Sequence, residues 1–135
     1  MSDKHKSSYL KSYVGGMNER PMYEERAWGD YKALDYTRYE DGIKSLIKHI
    51  TIKAGQTIGY QVHHLRDEVL TIIDGTGELL IDGQKRNVGR GDVVRIAKGQ
   101  RHGLKADETG DLHCIEVQIG TELVESDMEI FECEL

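Results

Sequence analysis

From Ile43 onward the chain runs as short segments set off by glycine-containing turns, and these segments mix apolar and polar side chains with no sustained helical period. LIKHITI, TIGYQVH, EVLTIID, GELLI, QKRNV, DVVRI, HGLKA and LHCIEVQI are short, and most are rich in the β-branched residues that suit a pleated strand. Asp82-Gly83 between LLI and QKRNV is the sharpest interruption, because both central residues of a type I′ turn need positive φ and Asp-Gly tolerates it. Other turns fall at Ala54-Gly55, Asp74-Gly75, Gly89 to Asp92 and Lys98-Gly99. Strands at this spacing predict an all-β sandwich or barrel, and a jelly roll is one way such sheets manage their edges.

The 135 residues suffice for one domain with a real core. Residues 1–24 are polar and dotted with tyrosine, contain Gly15-Gly16 and the sole proline, Pro21, and read as an N-terminal arm before a domain over 25–135. The arm also carries Leu10, Val14, Met17 and Met22, too apolar for a purely solvated tail. We therefore expect it to cover strand edges by exchange between two identical subunits, giving a homodimer. Lys and Arg number 18 against 24 Asp and Glu, a formal charge of −6, which is the wrong sign for a surface that neutralises nucleic-acid phosphates. The acidic stretch from Glu122 to Leu135 is expected to be a solvated face or end. No apolar run approaches the ~20 residues of a membrane helix, and the N-terminus lacks the apolar core of a signal peptide. A cytoplasmic protein with no membrane partner is expected. Cys114 and Cys133 have neither disulfide-framework nor zinc-knuckle spacing, and Cys114 reads as packed.

Ligand chemistry concentrates in Gly59-Tyr60-Gln61-Val62-His63-His64-Leu65-Arg66-Asp67-Glu68. On a strand alternate side chains share a face, so Gln61 and His63 point one way while Tyr60 and Val62 point the other. Glu68 opens the next strand and can return its carboxylate to the same side. Far downstream, His102 follows the Gly99 turn at the start of another strand. Two imidazoles, an amide and a carboxylate suit one borderline divalent ion: Zn²⁺, Mn²⁺, Fe²⁺, Co²⁺ or Ni²⁺. Isolated histidines such as His49 and His113 read as ordinary side chains, and Trp28 as a packing anchor.

The spacing Gly55, Gln61-x-His63-x4-Glu68, Gly75, followed by Gly91-x5-Ala97-x-Gly99-x2-His102, resembles the two motifs of the cupin superfamily, with Gln61 at the position of the first histidine. More narrowly, Arg26-Ala27-Trp28-Gly29-Asp30-Tyr31, the Gln61 to Glu68 segment, Ile115 to Gly120 and Leu123 are similar to the C-terminal isomerase domain of type II mannose-6-phosphate isomerases, enzymes fused to a mannose-1-phosphate guanylyltransferase. The resemblance implies a cupin jelly-roll β-barrel, or double-stranded β-helix, that binds metal and interconverts mannose 6-phosphate and fructose 6-phosphate. It implies a catalytic role for Arg66, whose guanidinium would stabilise an enediolate or orient the sugar. Lys98 and Arg101 flank the second motif and are expected to meet the sugar phosphate. Leu65, Leu70 and Gly103 stand where the family carries other side chains, which alters the pocket wall. No Gly-rich phosphate loop is found, so the guanylyltransferase half is expected to be missing. The alternative is a cupin without isomerase activity: a sugar-binding or regulatory module, or a metal-dependent dioxygenase.

Overall fold

The computed structural model describes residues 22–132. The strands are β1 (Tyr23–Arg26), β2 (Gly29–Arg38), β3 (Lys44–Ile52), β4 (Thr57–Val62), β5 (Arg66–Asp74), β6 (Thr76–Ile81), β7 (Gln84–Gly89), β8 (Val93–Ile96), β9 (His102–Ala106), β10 (Leu112–Gly120) and β11 (Glu129–Phe131). Asp82 and Gly83 turn β6 into β7 with φ of 47° and 81°, as the dipeptide predicts. Around that hairpin β5 pairs with β8, β4 with β9 and β3 with β10, all antiparallel. The nested pairs close into two facing sheets, ordered β1-β2-β3-β10-β5-β8 and β11-β4-β9-β6-β7. This is the expected all-β jelly roll.

Two strands precede the region where the sequence pattern announced sheet. In β2 the buried positions run Tyr31, Ala33 and then Tyr36, because a bulge between Ala33 and Asp35 in the pairing with β3 slips the alternation by one residue. The slip hides a strand from a period-of-two reading. Tyr23 and Glu24, the last residues assigned to the arm, lie in β1, and the Met22 carbonyl accepts a hydrogen bond from the Ala33 amide. The rest of the arm, with its expected exchange between subunits, lies outside the described residues, as does Cys133.

The acidic C-terminal stretch exposes Glu122, Glu129 and Glu132, as a solvated face would, but is anchored at two points. Leu123 is 1% exposed and packs with Ala33, Tyr36 and Leu46, Asp127 is buried, and β11 adds to the edge of β4. Its charge count concealed one apolar anchor and one buried acid. The main core between the sheets holds Ile52, Ile72, Leu79, Ile96, Leu112 and Cys114, with Trp28 and Ile58 packed against it. These residues fill one half of the sandwich, and the other half stays open.

Candidate metal centre and its cavity

Three strands, β4, β5 and β9, bring the expected ligands to the open half. Gln61 is the cross-strand partner of His102 in the β4–β9 ladder, and a register shift between Ile58 and Gln61 turns both of those side chains to the interior wall. Val62 ends β4, so His63 leaves the strand with its ring facing inward, buried at 4% exposure. Tyr60 faces the opposite way, as alternation requires, with its hydroxyl accepting from the Gly83 amide and its ring edge-on to Phe131. Glu68 lies on the inward row of β5 with Arg66, Leu70 and Ile72.

The imidazoles are held in the tautomer a ligand needs. His63 Nδ1 lies 2.7 Å from the carbonyl oxygen of Asp127, and His102 Nδ1 lies 3.1 Å from that of Gln100. A carbonyl only accepts, so each Nδ1 carries the hydrogen and each Nε2 faces the interior. His63 Nε2 is 3.5 Å from Glu68 Oε2 and His102 Nε2 is 3.3 Å from Glu68 Oε1, and one ligand atom from each of the three residues falls within 4.8 Å of the others. Gln61 shares the adjoining walls with all three. These donors fit a borderline divalent ion.

Electrostatics agree with that fit. Burial alone would raise the Glu68 carboxyl, but the His102 hydrogen bond and the Arg66 guanidinium together hold it down at about 2. Burial lowers His63, against the charge of Glu68 and with that of Arg66; since a guanidinium only donates, His63 Nε2 accepts from Arg66 Nη2 at 3.2 Å. Burial also opposes the charge on His102, yet the hydrogen bond and charge of Glu68 outweigh it and raise the group. Glu68 thus favours a proton on His102 Nε2, with which a cation would compete.

Arg66 is itself buried, with Nε donating to Glu68 Oε2 at 2.8 Å, which makes it part of the centre rather than a rim salt bridge. Asp127 braces the whole turn. Its carboxylate accepts from the amides of His64 at 2.8 Å and Leu65 at 3.0 Å, while its carbonyl orients His63. His64 faces away and pairs with Glu129. At the far end of the turn, a Cβ on Gly120 would collide with the Leu65 carbonyl, so β10 can pass this close only with glycine.

Above the ligands opens a cavity of about 290 Å³, near the lower bound of ~300 Å³ for small-molecule sites. Lys98 and Arg101 do not line it. Both side chains are exposed: the Lys98 amide is tied to Asp67, and the Arg101 guanidinium stacks 4.0 Å from the centre of the Phe131 ring. The cations that do line the cavity are Arg26, Lys48 and Arg66. Trp28 forms part of its wall as well as packing on the core. Lys48, Glu116 and Gln118 were not singled out as site residues from the sequence, although a signal existed: each sits in phase with the inward apolar row of its strand, Leu46-x-Lys48-x-Ile50 in β3 and Cys114-x-Glu116-x-Gln118 in β10.

Residues 17–133 match the family described as mannose-6-phosphate isomerase C-terminal. The chain belongs to that family. It is 31% identical over 139 residues to mannose-1-phosphate guanylyltransferase ManC of Salmonella typhimurium and 34% identical over 139 residues to the alginate biosynthesis protein AlgA of Pseudomonas putida. Each alignment covers 98% of this chain and 28% of the relative, so this mannose-6-phosphate isomerase C-terminal domain spans little more than a quarter of their length. A protein of Klebsiella pneumoniae with a double-stranded β-helix domain superposes at a TM-score of 0.62 and 19% identity, covering 76% of this chain and 83% of that one. That likeness carries the fold, which is a cupin jelly roll. Among the described residues no helix is long and apolar enough to cross a membrane.

Proposed function

We propose that this domain is a metal-dependent aldose-ketose isomerase that interconverts mannose 6-phosphate and fructose 6-phosphate. The observation that carries the reading is the convergence of His63, Glu68 and His102 beneath a cavity whose wall holds three cations. His63, His102, Glu68 and Gln61 would hold the ion. When bound, a divalent ion there would polarise the sugar carbonyl and fix the neighbouring hydroxyl oxygen.

The remaining work falls to the chain's own side chains. A sugar phosphate brings a dianion, which Arg26 and Lys48 are placed to meet; Lys98 and Arg101, expected for that role, lie outside the cavity wall. Arg66 cannot lose its proton, so it serves as a fixed positive charge that orients the oxygens on C1 and C2 and stabilises negative charge developing there. Trp28 and Ile58 exclude water from one side. Such charged metabolites are found in the cytoplasm, where this reading places the domain.

The test is to strip the protein of metal, reload it separately with Zn²⁺, Mn²⁺, Fe²⁺, Co²⁺ and Ni²⁺, and follow conversion of mannose 6-phosphate by NMR. Turnover that a chelator abolishes is expected. Arg66→Lys is expected to lower turnover with metal content unchanged, since lysine keeps the charge and loses the planar fork. Binding of hexose 6-phosphates without interconversion under any metal would make the domain a sugar-phosphate-binding module instead.

A further inference from the structure

An isomerisation of this kind needs a group that removes a proton from carbon and returns it to the neighbouring carbon, and the motif residues supply none. Arg26 and Arg66 do not deprotonate, and the inward nitrogens of His63 and His102 are committed to the ligand centre. Glu68 is committed too, bonded to Arg66 and flanked by both rings. Two other carboxylates, Glu116 and Glu125, line the same wall, and of the two only Glu116 also reaches the recess beside Glu68 and His102. Glu116 occupies the inward row of β10, opposite Lys48 of β3 on one side and Leu70 of β5 on the other, one inward position from the Gln118–Glu68 pair. It lines the wide cavity with Lys48 and Arg66, and it also lines the small recess that Gln61, Glu68 and His102 enclose. Gln118 Nε2 donates to Glu116 Oε1 at 2.6 Å, fixing the carboxylate's direction.

The geometry points to Glu116 as the catalytic base that carries the proton between C1 and C2, with Gln118 as its positioning residue. The inference rests on the isomerase reading. Glu116 takes the proton from C2 of the aldose as the C2–H bond breaks. That electron pair forms the C1=C2 bond, and the carbonyl pair moves onto O1. The hydroxyl proton of O2 passes to O1, the O2 pair forms the ketose carbonyl, and C1 recovers the proton from Glu116. The two carbons exchange oxidation level, so no outside oxidant or reductant is needed. Burial, reinforced by the charge of Glu68 and opposed by Lys48 and Arg66, raises the proton affinity of Glu116, the direction a carboxylate base working near neutrality requires.

The experiment follows solvent deuterium entering C1 of fructose 6-phosphate, by NMR, on the metal-loaded full chain. Glu116→Gln keeps the size of the side chain and its acceptance of the Gln118 hydrogen bond. It is expected to lose exchange and turnover together by about 10²–10⁴-fold, while retaining wild-type metal content and binding of fructose 6-phosphate by calorimetry. Glu116→Asp, one methylene short but still charged, is expected to lose part of that rate, and it decides the matter if the Gln variant does not fold. Exchange within a few-fold of wild type in Glu116→Gln, or full wild-type exchange in Glu116→Asp, overturns the assignment of Glu116 while leaving the isomerase reading intact. A wild-type chain that neither exchanges nor isomerises any hexose phosphate overturns both.

Discussion

The same strands build two unlike halves. Along β10 the inward row reads Leu112, Cys114, then Glu116, Gln118; along β5 it reads Ile72, Leu70, then Glu68, Arg66; along β9 it reads Ala106, Leu104, then His102. One half is a dry core whose members are almost wholly buried, and the other is a ring of ionisable groups tied together by hydrogen bonds. Pleating decides which side chains face inward and is blind to their chemistry, so the boundary between scaffold and site falls within each strand. The cost of desolvating the polar half is met by pairing: Arg66 with Glu68 and His63, and Gln118 with Glu116.

The largest effect expected is loss of the metal. His63→Ala and His102→Ala each remove one donor and should abolish stoichiometric binding, read as metal per chain by mass spectrometry, with the fold retained. Unchanged metal content in both variants would falsify the proposed centre. The dry half should behave in the opposite manner. Leu79→Ala is expected to cost about 2–5 kcal/mol in chemical unfolding, with metal per folded chain unaltered.

Asp127→Ala joins the two halves of the comparison. It leaves the His64 and Leu65 amides without their acceptor, an expected loss of about 1–3 kcal/mol, and loosens the turn that carries His63 and Arg66. Metal affinity is expected to fall by about 10–100-fold, measured by competition with a chromophoric chelator. A stability loss with affinity untouched would reduce Asp127 to a structural brace.

The smallest effect is a gain. Glu116 is an acid whose folded-state affinity for its proton is raised, so the metal-free protein loses stability as pH rises from the unfolded value near 4.5 through the folded one. Glu116→Gln removes that penalty. Thermal melts of the metal-free chains should show the variant at least as stable as wild type at neutral pH, with the difference closing below the unfolded value. The polar half would then hold a group that burdens the fold, as expected of a site residue rather than a scaffold residue.

What lies in local sequence was readable. Asp82-Gly83 announces its turn through backbone sterics alone, and the alternation of Gln61 with His63 follows from pleating. Cys114 proved packed, at 0% exposure, with burial pushing its thiol up to about 12. His63, Glu68 and His102 lie together, as their spacing led one to expect: His63 follows the end of β4, Glu68 is on the inward row of β5 and His102 opens β9 after the Gly99 turn. Strand β2 escaped because a bulge broke its period, and Asp127 because a charge count takes no account of the two amides waiting for it.

Which strands become neighbours was decided only by the tertiary structure. β10 enters between β3 and β5, and that long-range pairing sets Glu116 beside Lys48 and Gln118 beside Glu68. In the closed sandwich Lys98 and Arg101 are exposed while Arg26 and Lys48 line the cavity. Local sterics specify a strand and its inward face one residue at a time. The company that face keeps depends on contacts between residues tens of positions apart, which exist only once the sandwich has closed.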